Sequence, residues 1–173
     1  MCANPVALAA MLFVLVALPR SVWAYDGSLG LGVHLGYGAS FDSELESAHG
    51  LGLGIDANLG LNDTWSLLGH ASFMLHPANQ QVGRMLGGAE LVYMLDVLSW
   101  VPFFGAGAFA QLDMASGQSD SNVGVNGIVG LDYFVSRELL MGLDIRPFLN
   151  LSNFNTDPAY LTVNLRLTWL LEL

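Results

Sequence analysis

The feature that most constrains this chain is an alternation of apolar and polar residues that recurs along most of its length. From Leu161 to Leu173 every odd position is apolar (Leu161, Val163, Leu165, Leu167, Trp169, Leu171, Leu173), while Thr162, Asn164, Arg166, Thr168 and Glu172 stand between them. A period of two over such a length is a β-strand with one apolar face and one polar face. Ser28 to Gly38 sets Leu29, Leu31, Val33, Leu35 and Tyr37 against Gly30, Gly32, His34 and Gly36. Gly50 to Gly60 repeats it, with Asp56 and Asn58 on the glycine side. Trp65 to His76 opposes Trp65, Leu67, Ala71, Phe73 and Leu75 to Ser66, His70, Ser72 and His76. A fourth run, near Met85 to Leu95, carries Leu91, Tyr93 and Leu95 opposite Gly88 and Glu90, with Val92 and Met94 blurring its polar side. The fifth, near Val101 to Leu112, is apolar on both faces, so its phase stays open. Asn122 to Phe134 and Leu139 to Leu149 return to clear alternation, with Asp132, Asp144 and Arg146 on their polar faces.

That alternation accounts for an unusual composition. The chain is 53% hydrophobic, with 20 glycines and no lysine. Beyond its first segment no run of 18 or more apolar residues occurs, which excludes helical membrane spans there. Hydrophobicity is instead spread over eight strands of roughly 10 to 12 residues, the length that crosses a bilayer at a tilt. In a soluble eight-stranded barrel of the lipocalin kind the apolar face would turn inward and the polar face would meet water. Here the polar face is too rich in glycine, and too poor in lysine and glutamate, for an exposed surface. It fits a narrow lumen, with the apolar face against lipid.

The first segment, residues 1–24, reads as a secretory signal peptide cut after Ala24: an apolar run from Val6 to Leu18, then Pro19 and the small-residue pattern Val22-Trp23-Ala24. Its basic end is weak, since Arg20 follows the apolar run, and a retained anchor is the alternative. The only cysteine, Cys2, lies inside this segment, so residues 25–173, the expected barrel domain, carry no disulfide. Their four arginines, Arg84, Arg137, Arg146 and Arg166, stand against 15 acidic residues, a formal charge of −11. Nucleic acid is therefore excluded as a partner, because phosphate contacts need clustered basic groups.

Short connections (Leu61 to Thr64, Asp96 to Trp100, Val135 to Glu138) alternate with longer polar ones (Ala39 to His49, Pro77 to Arg84, Asp113 to Ser121, Asn150 to Pro158). Short periplasmic turns and long outer loops are the pattern of an outer-membrane barrel. Trp65, Tyr93, Trp100, Tyr133 and Trp169 fall near the short turns, and Tyr37 and Phe73 toward the loops, as two interfacial girdles would require. The stretches "GVNGIVGLDYFVSRELLMGLDIRPFL" and "DPAYLTVNLRLTWLL" resemble a late hairpin and the closing strand of the small eight-stranded outer-membrane β-barrels, of the OmpX and OmpA membrane-domain type. The resemblance implies an all-β, eight-stranded antiparallel up-and-down transmembrane barrel in the outer membrane of a Gram-negative cell, monomeric, among lipid and lipopolysaccharide. It departs at the C-terminus, where Glu172-Leu173 replaces the aromatic that ends many such barrels.

The inward titratable residues are expected to be His34, Asp56, His70, Glu90, Asp132, Asp144, Arg146 and Arg166. In so narrow a barrel they are read as a packed structural network, since buried charges need partners. A water or ion path lined by them is the competing reading, and metal ligation by His34 and His70 a weaker one. Glycine runs such as "GLGLGID" and "GAGAF" lie within strands, without the helix that a phosphate-binding loop requires, and are read as space-savers. Two catalytic readings compete with these. Lipid A deacylases resemble this chain at "NLSN", with Ser152 as nucleophile, but Asn150 stands where the basic histidine belongs and an amide does not take the serine proton. A palmitoyltransferase reading needs His49 with Asp42 or Asp120. Acidic loop residues (Asp42, Glu44, Glu46, Asp113, Asp120, Asp157) offer a surface to an unidentified partner. The expectation is a structural or surface-interaction protein with no catalysis, no cofactor and no metal.

Overall fold

The computed structural model describes residues 28–40, 49–76, 82–95, 99–115, 118–152 and 158–172. Its elements are β1 (Ser28–Ser40), β2 (His49–Gly60), β3 (Trp65–His76), β4 (Val82–Met94), β5 (Trp100–Ala115), β6 (Gln118–Phe134), β7 (Leu139–Asn150) and β8 (Ala159–Glu172). Each strand pairs antiparallel with its neighbours in sequence, and β8 closes onto β1 from Ser28↔Glu172 to Ser40↔Tyr160. Closure removes every sheet edge and satisfies the ladder of backbone N–H and C=O groups internally, which a strand needs where no water is present. The proposed signal segment lies outside the described residues.

Facing follows the alternation. On β7 the odd positions Met141, Leu143 and Ile145 are exposed while Leu140, Gly142, Asp144, Arg146 and Phe148 are buried. On β8 Leu165 is 50% exposed and Thr162 only 2%. Such a band of outward Leu, Val, Ile and Phe is far larger than a water-soluble monomer presents. It makes the barrel a transmembrane one. At the short-turn end an outward aromatic ring runs from Trp65 to Tyr93 (centroids 5.1 Å apart) and Phe104 (5.5 Å from Tyr93), with Trp100 on Tyr133 at 4.7 Å. Amphipathic rings at that level suit the headgroup boundary.

The turns are built from local hydrogen bonds. Asn62 Oδ1 accepts from the backbone N–H of Thr64 (3.0 Å) and Trp65 (2.9 Å), an Asx turn that reverses the chain between β2 and β3. Ser136 Oγ accepts from Glu138 N–H between β6 and β7.

Two sequence expectations are corrected. Asp113 to Ser121 is not a long loop: β5 and β6 run on as a ladder to Ala115↔Gln118, leaving two residues between them. Likewise Arg84 belongs to β4, opposite Asp113, rather than to the loop before it. Above the bilayer both faces of a strand meet water, so polar residues there no longer mark a loop. The open phase of β5 is also resolved. Val101, Phe103, Phe109 and Gln111 point inward, and Trp100, Phe104 and Leu112 outward.

Replacing the mid-strand, outward Leu165 by arginine is expected to destabilise the inserted barrel by about 2–4 kcal/mol, whereas Thr162→Ser in the lumen should be near neutral. Urea titration of the protein in lipid vesicles measures both.

Candidate functional site: the charged lumen

All eight titratable residues singled out in the sequence point into the lumen, and each is buried. What makes room for them is the residue across the ladder. His34 stands opposite Gly54 and Asp56 opposite Gly32. His70 faces Gly88, Glu90 faces Gly107, Asp132 and Arg166 both face Gly142, and Asp144 faces Gly130. A Cβ at Gly54 would overlap the His34 imidazole, and one at Gly142 would overlap the Asp132 carboxylate. Arg146, which faces Thr162, is the exception.

The charges divide into three groups. In the first, Arg146 Nε donates to Asp144 Oδ1 at 2.9 Å and its Nη2 donates to Asp144 Oδ2 at 3.2 Å and to Asp56 Oδ1 at 3.0 Å. Asp56 Oδ2 in turn lies 2.8 Å from His34 Nδ1. Asn164 Nδ2 completes this group, donating to Asp144 Oδ1 at 2.7 Å and to Thr162 Oγ1 at 3.1 Å. One guanidinium thus bridges carboxylates on β2 and β7, across the lumen.

In the second group, fully buried Glu90 accepts from Asn126 Nδ2 at 2.5 Å. His70 Nδ1 lies 2.9 Å from Glu90 Oε1, off the hydrogen-bonding angle, and its ring meets Phe148 edge-on with centroids 6.0 Å apart. The third is looser: Arg166 Nε is 3.5 Å from Asp132 Oδ1, and its Nη1 4.0 Å from Asp144 Oδ2. The lumen thus holds four carboxylates and two guanidinium groups, and Glu90 is contacted by Asn126 and His70 rather than by an arginine. Each carboxylate has a donor group within reach, which is the condition for keeping such charge out of water.

Apolar layers lie on either side of this belt, and sequence reasoning missed them. Toward the short turns Leu68, Val92, Met94, Val101, Phe103 and Ile128 pack into one cluster. Toward the loops Leu86, Phe109, Phe148 and Tyr160 form another. The available signal was the blurred polar face of the fourth run, where Val92 and Met94 replace polar residues, and the two-sided greasiness of the fifth.

The loop end shows no assembled catalytic group among the described residues. Ser152 Oγ accepts from Val123 N–H at 3.0 Å and donates to Asn122 Oδ1 at 3.2 Å, so the hydroxyl pins the start of the β7–β8 connection to β6. His49 faces outward, stacked on Tyr37, with its Nδ1 2.6 Å from the Tyr37 hydroxyl. Asp120 sits on the β5–β6 extension opposite Asp113, and Asp42, Glu44, Glu46 and Asp157 lie outside the described residues. Asp113 is taken up by Arg84, whose Nε donates to it at 2.7 Å, and by Gln111 at 2.6 Å. No set of three or more His, Cys, Asp or Glu side chains able to hold a metal occurs among the described residues. His34 and His70 each face a different carboxylate.

No protein-family model matches the sequence, and no curated protein matches it. Its fold, however, matches solved barrels over nearly their whole length. Neisserial surface protein A (NspA) is similar with a TM-score of 0.69 at 15% identity, over 86% of this chain and 100% of that one. The N-terminal β-barrel domain of Pseudomonas aeruginosa OprF gives 0.61 at 13% identity, covering 82% and 97%. Ail, the attachment invasion locus protein of Yersinia pestis, gives 0.60 at 11% identity, covering 84% and 99%. The chain therefore has the fold of the small eight-stranded outer-membrane barrels.

Truncating the central guanidinium as Arg146→Met is expected to cost about 3–5 kcal/mol, because Asp56 and Asp144 would be left buried without their cation. Chemical unfolding in vesicles gives the number, and a loss below about 1 kcal/mol would show that the belt is solvated.

Proposed function

We propose that this chain is a closed, non-conducting outer-membrane barrel whose lumen is structural and whose outer end meets partners at the cell surface. The observation that carries the reading is the layering of the interior. A charge belt with internal partners is flanked by an apolar cluster toward each end, which supports a closed interior. The interior of an eight-stranded barrel is only wide enough for side chains to fill, and here large ones fill it. Residues 1–24 serve as the export signal in this reading, removed after Ala24.

A surface role is supported by the kinds of proteins the barrel is similar to, whose names include a surface protein and an attachment protein. Ail also has a structure in complex with the heparin analogue sucrose octasulfate. A sulfated polyanion suits this chain poorly. Its loop-end connections are acidic, and the one arginine described there, Arg84, already carries an ion pair with Asp113. A partner with cationic groups fits the charge better. Catalysis is not part of the proposal, because the Ser152 hydroxyl is committed to Val123 and Asn122.

Planar-bilayer recording tests the closed lumen. The purified barrel is expected to leave the membrane silent, and reproducible conductance steps that vanish in Asp56→Asn would establish the channel reading instead.

A further inference from the structure

The two lumen arginines are held very differently. Arg146 makes three hydrogen bonds to carboxylates, at 2.9, 3.0 and 3.2 Å. Arg166 is equally buried, yet its Nε stands 3.5 Å from Asp132 Oδ1 without a hydrogen bond between them. Its remaining contacts are long: Nη2 to Thr168 Oγ1 at 3.5 Å, Nη1 to Asp144 Oδ2 at 4.0 Å, and the Phe103 ring 5.0 Å below the guanidinium. A direct N–H···O⁻ bond would be about 2.7–2.9 Å long. Something other than crowding keeps this pair apart, because a cavity of about 10 Å³ lies beside it, lined by Asn58, Asp132 and Arg166 together with Leu68, Val92, Met94 and Phe103.

Three buried polar atoms on that lining have no hydrogen-bond partner among the described residues: Asn58 Oδ1, Asp132 Oδ1 and Arg166 Nε. Leaving such atoms bare inside a protein is costly, the more so for charged groups. Two of the three are acceptors and one is a donor. That set is the complement of a water molecule, which donates twice and accepts once or twice. The volume is about the minimum that holds one water, and buried waters typically make about three hydrogen bonds.

We propose that the cavity is a binding site for a single structural water, which accepts from Arg166 Nε–H and donates to Asp132 Oδ1 and Asn58 Oδ1. The water ties β2, β6 and β8 together at the boundary between the charge belt and the apolar layer beneath it. A metal cation is disfavoured because the cationic Arg166 guanidinium lines the same cavity. An anion is disfavoured because two of the three lining atoms are oxygens with lone pairs only. The Asp132–Arg166 pair becomes a water-separated ion pair, which explains why it is longer than the Arg146 pairs in the same lumen.

The test is a crystal structure of the detergent-solubilised full chain at about 2 Å or better, with an NMR measurement of the Arg166 Nε–H signal in micelles. The expected result is one density peak about 2.7–3.2 Å from all three atoms, together with direct cross-relaxation between that N–H and a long-lived water. Both should be lost in Asn58→Leu, whose folded state is checked by its gel mobility before and after boiling. The proposal is overturned by any of three outcomes in the wild-type protein. These are a collapsed cavity with Arg166 bonded directly to Asp132, a peak at cation distances of about 2.0–2.6 Å, or an Nε–H that shows no water contact. None of these outcomes depends on whether the barrel conducts.

Discussion

The space inside eight strands governs this molecule. Closing a sheet of that size leaves an interior that side chains fill and nothing wider, while the bilayer outside accepts no open edge and little charge. Polar groups that the alternation places on the inner face must therefore be small, or must face something small. Six glycines opposite His34, Asp56, His70, Glu90, Asp132, Asp144 and Arg166 meet that demand, Gly142 serving both Asp132 and Arg166. The glycine content of the chain is thus tied to its charge content, because a long polar side chain on one strand takes the volume that its neighbour gives up. The same crowding brings carboxylates and guanidinium groups within hydrogen-bond range across the barrel, as in the bridge from Asp56 through Arg146 to Asp144.

In the proposed closed reading, layering adds to what crowding does. The belt is bounded by Leu68, Val92, Met94, Val101, Phe103 and Ile128 on the turn side and by Leu86, Phe109, Phe148 and Tyr160 on the loop side. Charge held between two apolar layers sees a low dielectric, so each pairing matters more than it would at a surface. Buried ion pairs are weak contributors to net stability in general, yet removing one partner is costly. In the proposed structural reading, the belt specifies how the strands meet more than it adds stability.

Much of this was legible from residue order. Alternation marked every strand but β5; Trp65–His76 starts and stops where its pattern does, and the inward charged residues are those on the polar face. Legibility failed where the two sides of a strand share one environment. Val101 and Phe103 enter the apolar layer while Trp100 and Phe104 face lipid, so β5 is greasy throughout and its sequence carries no phase. At the other extreme, Asp113 and Asp120 lie on a hairpin extension described as paired strand, and their polarity looks like a loop. Partnership was the other missing quantity. That Asp56 meets Arg146, 90 positions away, depends on register and closure, which no local pattern encodes. The separation of Arg166 from Asp132 depends on the same two things.

The central claim is that lipid wets the Leu/Val/Trp face of these strands while charge and glycine fill the middle. A nitroxide scan of β8 addresses it most directly, since Cys2 is the only native cysteine and can be replaced. Single cysteines from Leu161 to Leu171 would be labelled in lipid vesicles, and their accessibility to oxygen, which partitions into the bilayer, compared with that to a water-soluble nickel complex. The account requires a period of two, with Val163, Leu165, Leu167 and Trp169 open to oxygen and Thr162, Asn164, Arg166 and Thr168 shielded from it. The opposite phase, with the even positions open to nickel and the odd ones shielded from both reagents, would mean that the apolar face is turned inward and would contradict the account.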